Sequence, residues 1–156
     1  MMMRKSIRFE SLFFSLTILL TISISSSAIA DTALNSSNWQ GITGAHYWVI
    51  VEPGTYYLDV DSPFVTTHNF AIRLNTSDII LDGKGKTILG AAIPSGSSET
   101  LPDVYGVRAN AGIPSSGIQV KNLKVEKKYF GVIFEAVASG KIENVTTNNN
   151  CYGIFI

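Results

Sequence analysis

Two aspartates and two arginines are the residues whose types and spacing come closest to a reactive site. Asp59 and Asp61 are separated by one residue, so on a β-strand they would project from the same side. Paired carboxylates can bind Ca²⁺ or act as general acid and base on a glycoside. Arg73 and Arg108 hold the same position in two similar segments, and stacked guanidinium groups could bind an acidic sugar.

Asp59, Asp61 and Arg73 are therefore weak catalytic candidates, because such residues are also common on a solvated sheet surface. No complete catalytic set is recognisable, so none is assigned. Exposed aromatic side chains offer a second kind of chemistry, the stacking of sugar rings. The candidates are Trp39, Trp48, Tyr57 and Phe155, of which Trp48 begins a strand and is expected to pack in the core. The predicted glycan-binding residues are Trp39, Tyr57, Arg73 and Arg108.

Three sequons match the N-glycosylation pattern. Asn35 and Asn75 are the candidate acceptors, whereas Asn144 is expected to be buried at a corner of the fold. Metal ligands are scarce, because all three methionines lie at positions 1–3 and the remaining soft or imidazole ligands are His46, His68 and Cys151. The prediction is no metal site and no cofactor, with Ca²⁺ required only if the protein is a lyase. Cys151 is expected to be a packing residue.

The elements that would position these residues come from a repeat of five residues: aromatic, small, aliphatic, variable and apolar. Its copies begin at Phe70, Tyr105, Phe130 and Tyr152, which are 35, 25 and 22 residues apart. Residues 91–104, a polar insertion, account for the longest gap. A repeat of this length indicates units that bury their apolar sides by stacking on one another.

Aligning the copies predicts which side chains face inward. Two columns are apolar throughout: Ile72, Val107, Val132 and Ile154, and beside them Leu74, Ala109, Phe134 and Ile156. The mixed column between them, Arg73, Arg108, Ile133 and Phe155, should face outward, and Lys121, Lys124, Lys127 and Lys128 should form a solvated rim. Gly83, Asn122 and Asn144 should mark a corner, with a hydrogen-bonded ladder between the two asparagines.

Three short strands and one such corner per turn predict an all-β fold, a parallel β-helix of about four rungs. The segments Gly54-Thr55-Tyr56, 78–85 and 116–123 resemble the right-handed β-helix superfamily typified by pectate lyases, and within it the NosD-like periplasmic and cell-surface repeat proteins. The resemblance covers residues 49–156 and implies the right-handed coil. It also implies carbohydrate chemistry or, for NosD-like proteins, an accessory role in copper-site maturation.

The first thirty residues predict a secretory signal with cleavage after Ala30, because basic Arg4, Lys5 and Arg8 precede an uncharged stretch from 12 to 24. An uncleaved anchor is the alternative. Residues 31–47 are predicted to cap a β-helix over 48–156. Cleavage would change 12 basic and 12 acidic residues to 9 and 11, which gives no electrostatic case for nucleic acid.

The function expected from these observations is an exported cell-surface or periplasmic module, without catalysis, that binds extracellular polysaccharide or builds the envelope. A polysaccharide lyase or glycoside hydrolase and a NosD-like copper accessory protein are the alternatives. No membrane association is expected after signal cleavage. Because the fourth repeat ends at Ile156, we expect the β-helix to continue beyond this chain, or another β-helix subunit to cover its end.

Overall fold

The computed structural model describes residues 30–41, 46–91, 104–109 and 114–156. Within these ranges all regular elements are strands, stacked in parallel as a β-solenoid of about four turns, which confirms the predicted fold class. No helix in the same ranges is long and apolar enough to span a bilayer. The predicted signal segment, apart from Ala30, and most of the predicted polar insertion lie outside the described residues.

The strands are short except where one continues through a corner. In chain order they are β1 (Thr32–Leu34), β2 (Trp48–Ile50), β3 (Gly54–Leu58), β4 (Phe64–Val65), β5 (Phe70–Leu74), β6 (Ile79–Asp82), β7 (Thr87–Leu89), β8 (Tyr105–Ala109), β9 (Ile118–Glu126), β10 (Phe130–Phe134), β11 (Gly140–Asn148) and β12 (Tyr152–Phe155).

These strands build three faces. The first face stacks β1, β3, β6 and the first halves of β9 and β11, and the second stacks β4, β7 and the second halves of β9 and β11. The third face stacks β2, β5, β8, β10 and β12. β1 belongs to the segment predicted as a cap, and it pairs in parallel with β3.

The repeat of five residues forms the third face in the predicted register. Phe130 lies beside Tyr105 on one side and Tyr152 on the other, and Val132 lies between Val107 and Ile154. The inward columns are fully buried or nearly so through Phe134, whereas Ile154 and Ile156 in the last copy are 45% and 86% exposed. The apolar pattern therefore identified the core, and the last rung has no neighbour that covers it among the described residues.

The corner between the first and second faces contains the predicted ladder. Asn144 Nδ2 donates to Asn122 Oδ1 at 2.8 Å, and both asparagines are left-handed, with φ of 50° and 52°. Gly83 lies at the equivalent corner, as predicted, but it is not itself left-handed, because the left-handed residues of its turn are Lys84 and Gly85. Gly83 is instead required for close packing, since a Cβ there would lie 2.6 Å from the carbonyl oxygen of Asn122.

Two of the predicted surface positions are buried. Lys128 was expected on a solvated rim but is fully buried, and its Nζ donates to the carbonyl oxygen of Thr66 at 3.0 Å. Ile133 was expected to face outward into solvent but is 3% exposed. The outer side of the third face carries a second apolar cluster with Phe70 and Tyr105, and this cluster covers Ile133.

Two of the predicted buried positions are exposed. Asn144 and Cys151 were expected at a buried corner and in a packing position, and both are exposed. Both residues belong to the last rung, which among the described residues is covered only by the rung before it. Equivalent positions in earlier rungs are less exposed because those rungs have a neighbour on both sides.

Candidate functional site

The candidate site is a cleft of about 560 Å³ at the N-terminal end of the second face. β4 is the edge strand here, since it pairs with β7 and lies last in the order of its sheet. Three segments line the cleft: residues 36, 39 and 46 of the N-terminal segment, residues 59–61 and 63–65 around β4, and Lys86 before β7. Its volume is within the range of small-molecule sites, roughly 300–1,000 Å³.

An aromatic pair lines part of the cleft. The Trp39 indole stacks on the His46 imidazole with ring centroids 3.6 Å apart and planes 3° from parallel. His46 is held in turn because its carbonyl oxygen accepts a hydrogen bond from Thr66 Oγ1 at 2.6 Å. Trp39 also packs against Phe64, with centroids 6.3 Å apart. The solenoid thus fixes the position of an indole that remains partly exposed.

Charged side chains line the rest of the cleft. Asp59 and Asp61 do not lie on a strand face as predicted, because β3 ends at Leu58 and both residues belong to the corner that follows. Both are exposed and both line the cleft. The corner is tied to the next rung, since Thr87 N donates to Ser62 Oγ at 3.0 Å. Carboxylates accept hydrogen bonds from sugar hydroxyls or from amines, and the nearby Lys86 donates them.

The two predicted arginines lie on the outer side of the third face. Arg73 and Arg108 are in register on β5 and β8, which confirms their alignment, and neither lines the cleft. Each guanidinium lies over a ring, Arg73 at 5.7 Å from the Phe70 centroid and Arg108 at 4.6 Å from Tyr105. The structure therefore does not join Arg73 to Asp59 and Asp61 as one catalytic group.

The charges of the two arginines are balanced differently. Arg108 Nε donates to Glu135 Oε2 at 2.8 Å, so this charge is neutralised within the protein. Arg73 Nε is buried and has no hydrogen-bond partner among the described residues. Among the described residues, Arg108 therefore forms a salt bridge and Arg73 does not.

Tyr57 lies on the first face, beside Asp82 in the register of β3 and β6. Lys84 Nζ lies 5.5 Å from its ring centroid and 3.7 Å from Asp82 Oδ2. Partial burial acts to raise the pKa of Asp82, but hydrogen bonds from Lys84 N–H and Asn122, with the charges of Lys84 and Lys121, lower it below its usual value. Tyr57 therefore belongs to this network of charged side chains on the first face, and it does not line the cleft.

The sequon asparagines differ in their surroundings. Asn35 Oδ1 accepts hydrogen bonds from the backbone N–H of Ser37 at 2.9 Å and from its hydroxyl at 2.6 Å. Asn75 Oδ1 is buried without a hydrogen-bond partner among the described residues. Glycosylation at Asn35 and Asn75 stays a prediction.

Two ionisable residues of the cleft, His46 and Lys86, were not predicted to line a binding site. From the sequence, His46 stands out only as a scarce imidazole ligand, and Lys86 has no predicted role. The apolar pair Phe64-Val65 is the sequence feature that could have placed Lys86. As strand β4 this pair lies beside β7, and the start of β7, next to Lys86, therefore lies beside the 59–63 corner. No sequence pattern predicts the position of His46, because that position depends on the stacking of its ring on Trp39.

In the described part of the chain, His, Cys, Asp and Glu side chains form no group of three or more that could hold a metal ion. Comparison with protein-family models, with curated proteins and with solved structures finds no match to this chain. The structure establishes the parallel β-solenoid, and a functional assignment has to rest on the chemistry of the cleft.

Proposed function

We propose that this chain is an exported, non-catalytic β-solenoid of the cell surface or periplasm that binds glycans in the cleft at its N-terminal end. One observation carries the proposal: the solenoid brings Trp39 of the N-terminal segment and the two aspartates of the corner after β3, Asp59 and Asp61, to one cleft of about 560 Å³. Each of these side chains has a role in sugar binding that its chemistry supports. Export is supported by the N-terminal sequence pattern.

The division of roles follows from the side chains. The Trp39 indole offers an apolar surface for the C–H face of a sugar ring. Asp59 and Asp61 accept hydrogen bonds from sugar hydroxyls, and Lys86 donates to hydroxyl or ring oxygens. A concave site with an aromatic wall and a few convergent polar groups is the usual form of a small-ligand site.

Rigid support favours binding. Trp39 is packed against His46 and Phe64, and the 59–63 corner is tied to β7 through Ser62. A preorganised site loses less conformational entropy when the ligand binds. The resemblance of the repeats to β-helix proteins of the envelope is consistent with this role.

A carbohydrate-active enzyme is the second candidate, because two carboxylates line the same cleft. This version would use Asp59 and Asp61 without Arg73, with Ca²⁺ if the reaction is a lyase reaction. A NosD-like role in copper-site maturation would need ligands beyond the scattered His46, His68 and Cys151.

The test is calorimetric titration of the mature chain, meaning residues 31–156 that would remain after the proposed signal cleavage, with hexamers of glucose, N-acetylglucosamine, glucosamine and galacturonate. We expect saturable binding of at least one hexamer, and a loss of affinity of about tenfold or more in the double variant Asp59→Asn/Asp61→Asn. Glu143→Gln, an exposed substitution on the last rung, is the matched control and should bind as the wild type does.

Product analysis in the same samples separates binding from catalysis. Unchanged hexamers after long incubation, with and without Ca²⁺, agree with a binding module. New reducing ends or unsaturated products would establish the enzyme instead. Absence of binding to all four hexamers, or equal binding by the double variant, would overturn the assignment of the cleft.

A further inference from the structure

We infer that the cleft selects glycans with free amino groups, such as oligomers of deacetylated hexosamine. This inference rests on the proposed function and names its ligand class. It departs from the expectation of an acidic polysaccharide, which depended on Arg73 and Arg108. Those arginines lie on another face, so the charge of the cleft is set by other residues.

Asp59 and Asp61 are unneutralised, unlike many of the carboxylates in this protein. Asp82, Glu126, Glu135 and Glu143 each form a salt bridge with a lysine or arginine. In the described ranges neither Asp59 nor Asp61 has a salt-bridge partner, although both line the same cleft as Lys86. The charged side chains that line the cleft are two carboxylates and one ammonium, beside the His46 imidazole, so the cleft has an excess of negative charge whenever that imidazole is neutral.

An amino sugar matches this arrangement in charge and in shape. Its ammonium group can donate three hydrogen bonds, and charge-assisted bonds to carboxylates are stronger than those between neutral groups. The neighbouring Trp39 ring attracts cations through its π system as well as stacking on the sugar. Acetylation of the amine removes the charge, and a uronic acid reverses it.

The site is open to solvent, so the electrostatic part of the selectivity should weaken as salt is added. A neutral glycan would keep the stacking contacts and the hydroxyl hydrogen bonds but would lose the charge attraction to the two aspartates. The inference therefore predicts an order of affinity: glucosamine, then the neutral sugars, then galacturonate. It also attributes this order to the negative charges of Asp59 and Asp61.

The experiment compares the hexamers at a pH at which the sugar amine is protonated. We expect the glucosamine hexamer to bind about tenfold more tightly than the N-acetylglucosamine hexamer, with a ratio that falls as salt is raised. Asp59→Asn/Asp61→Asn should reduce the ratio to near one while weak binding of the neutral hexamers persists. Glu143→Gln should leave the ratio unchanged, and Lys86→Met should increase it, because the ammonium group of Lys86 repels a cationic ligand.

Each other outcome is decisive. Equal affinity for glucosamine and N-acetylglucosamine would overturn the selectivity and leave glycan binding intact. Tightest binding of galacturonate would overturn it as well and would favour the arginine face. Hexalysine bound as tightly as the glucosamine hexamer would show charge attraction without sugar recognition and overturn it too. Failure of every hexamer to bind would remove the proposed function itself.

Discussion

Asn122 serves both the backbone and the packing of its corner. Its φ of 52° is in the left-handed region, where asparagine and glycine are tolerated better than other residues. Its amide donates to Asp82 Oδ1 at 3.1 Å and accepts from Asn144 Nδ2 at 2.8 Å, so three successive rungs are joined side chain to side chain. The ladder therefore fixes the register of the rungs as well as the turn.

Substitutions at Asn122 can separate these two contributions. Asn122→Gly should lose the two side-chain hydrogen bonds and lower the free energy of unfolding by about 1–2 kcal/mol. Asn122→Ala should cost roughly 1–2 kcal/mol more, because alanine is strained in the left-handed region. Urea denaturation measures both values, and equal stabilities of the two variants would contradict the role assigned to the backbone.

His68 is placed where protonation is unfavourable. Its ring stacks on Tyr47 at 3.8 Å and meets Phe70 edge-on at 4.6 Å. Burial lowers the pKa of His68 from the usual 6.5, and the charge of Lys128 lowers it further, against the opposing hydrogen bond to the Phe70 carbonyl. The folded protein therefore favours the neutral imidazole.

The lowered pKa predicts that stability falls in mild acid. Below pH 6.5 the unfolded chain binds a proton that the folded chain resists, so stability present above that value is lost as the pH falls. We expect the free energy of unfolding to decrease between about pH 7 and pH 5.5, and to decrease less in His68→Gln. An identical pH dependence in the two proteins would count against this account.

The strands of the third face begin at a point of close contact between rungs. A small residue follows the aromatic residue in each copy, and three of the four are glycines: Gly106, Gly131 and Gly153. A Cβ on Gly131 would collide with the carbonyl oxygen of Gly153, and a Cβ on Gly106 would lie 2.5 Å from that of Gly131. The small position of the repeat is thus a requirement of rung spacing.

Alanine substitutions along this column test that requirement. Gly131→Ala should destabilise the protein by about 1–3 kcal/mol, because the backbone of the next rung must shift. Gly153→Ala is the matched control, since its Cβ would meet only the side chain of Thr147. Thermal unfolding should show a much larger loss for Gly131→Ala, and similar losses at both positions would be inconsistent with a collision between rungs.

The sequence was sufficient to predict elements that repeat and insufficient for those that do not. The columns through Ile72 and Val107 followed from aligned apolar positions, because parallel stacking places equivalent residues above one another. Lys128 could not be placed by alignment, since its burial depends on Thr66 from a different rung. The cleft could not be predicted for the same reason, because His46 and Lys86 line it from segments that are far apart in the sequence.

At the scale of the whole molecule, stability comes from neighbouring rungs. Val132 is fully buried between Val107 and Ile154, whereas Ile154 itself is 45% exposed on the last rung. β11 and β12 lie at an edge of their pairings, and Tyr152 and Phe155 are about half exposed there. A second β-helix subunit at this end stays a prediction.

The same substitution at two positions of one column should therefore have unequal effects. Val132→Asp places an unpaired charge in a dry core and should cost several kilocalories per mole, a large share of the roughly 5–15 kcal/mol typical of a domain. Ile154→Asp should cost far less, because the carboxylate can reach water. Circular dichroism on heating measures both, and equal losses would contradict the inward column.

The most direct test of the central claim, glycan binding in the cleft, is chemical-shift mapping by NMR of the mature chain during titration with the glucosamine and glucose hexamers. The account predicts shifts of the Trp39 indole N–H and of the backbone amides of residues 59–65, while the buried Trp48 indole and the amides of β10 change little. Shifts confined to the third face around Arg73 and Arg108, or no shifts with either hexamer, would contradict it.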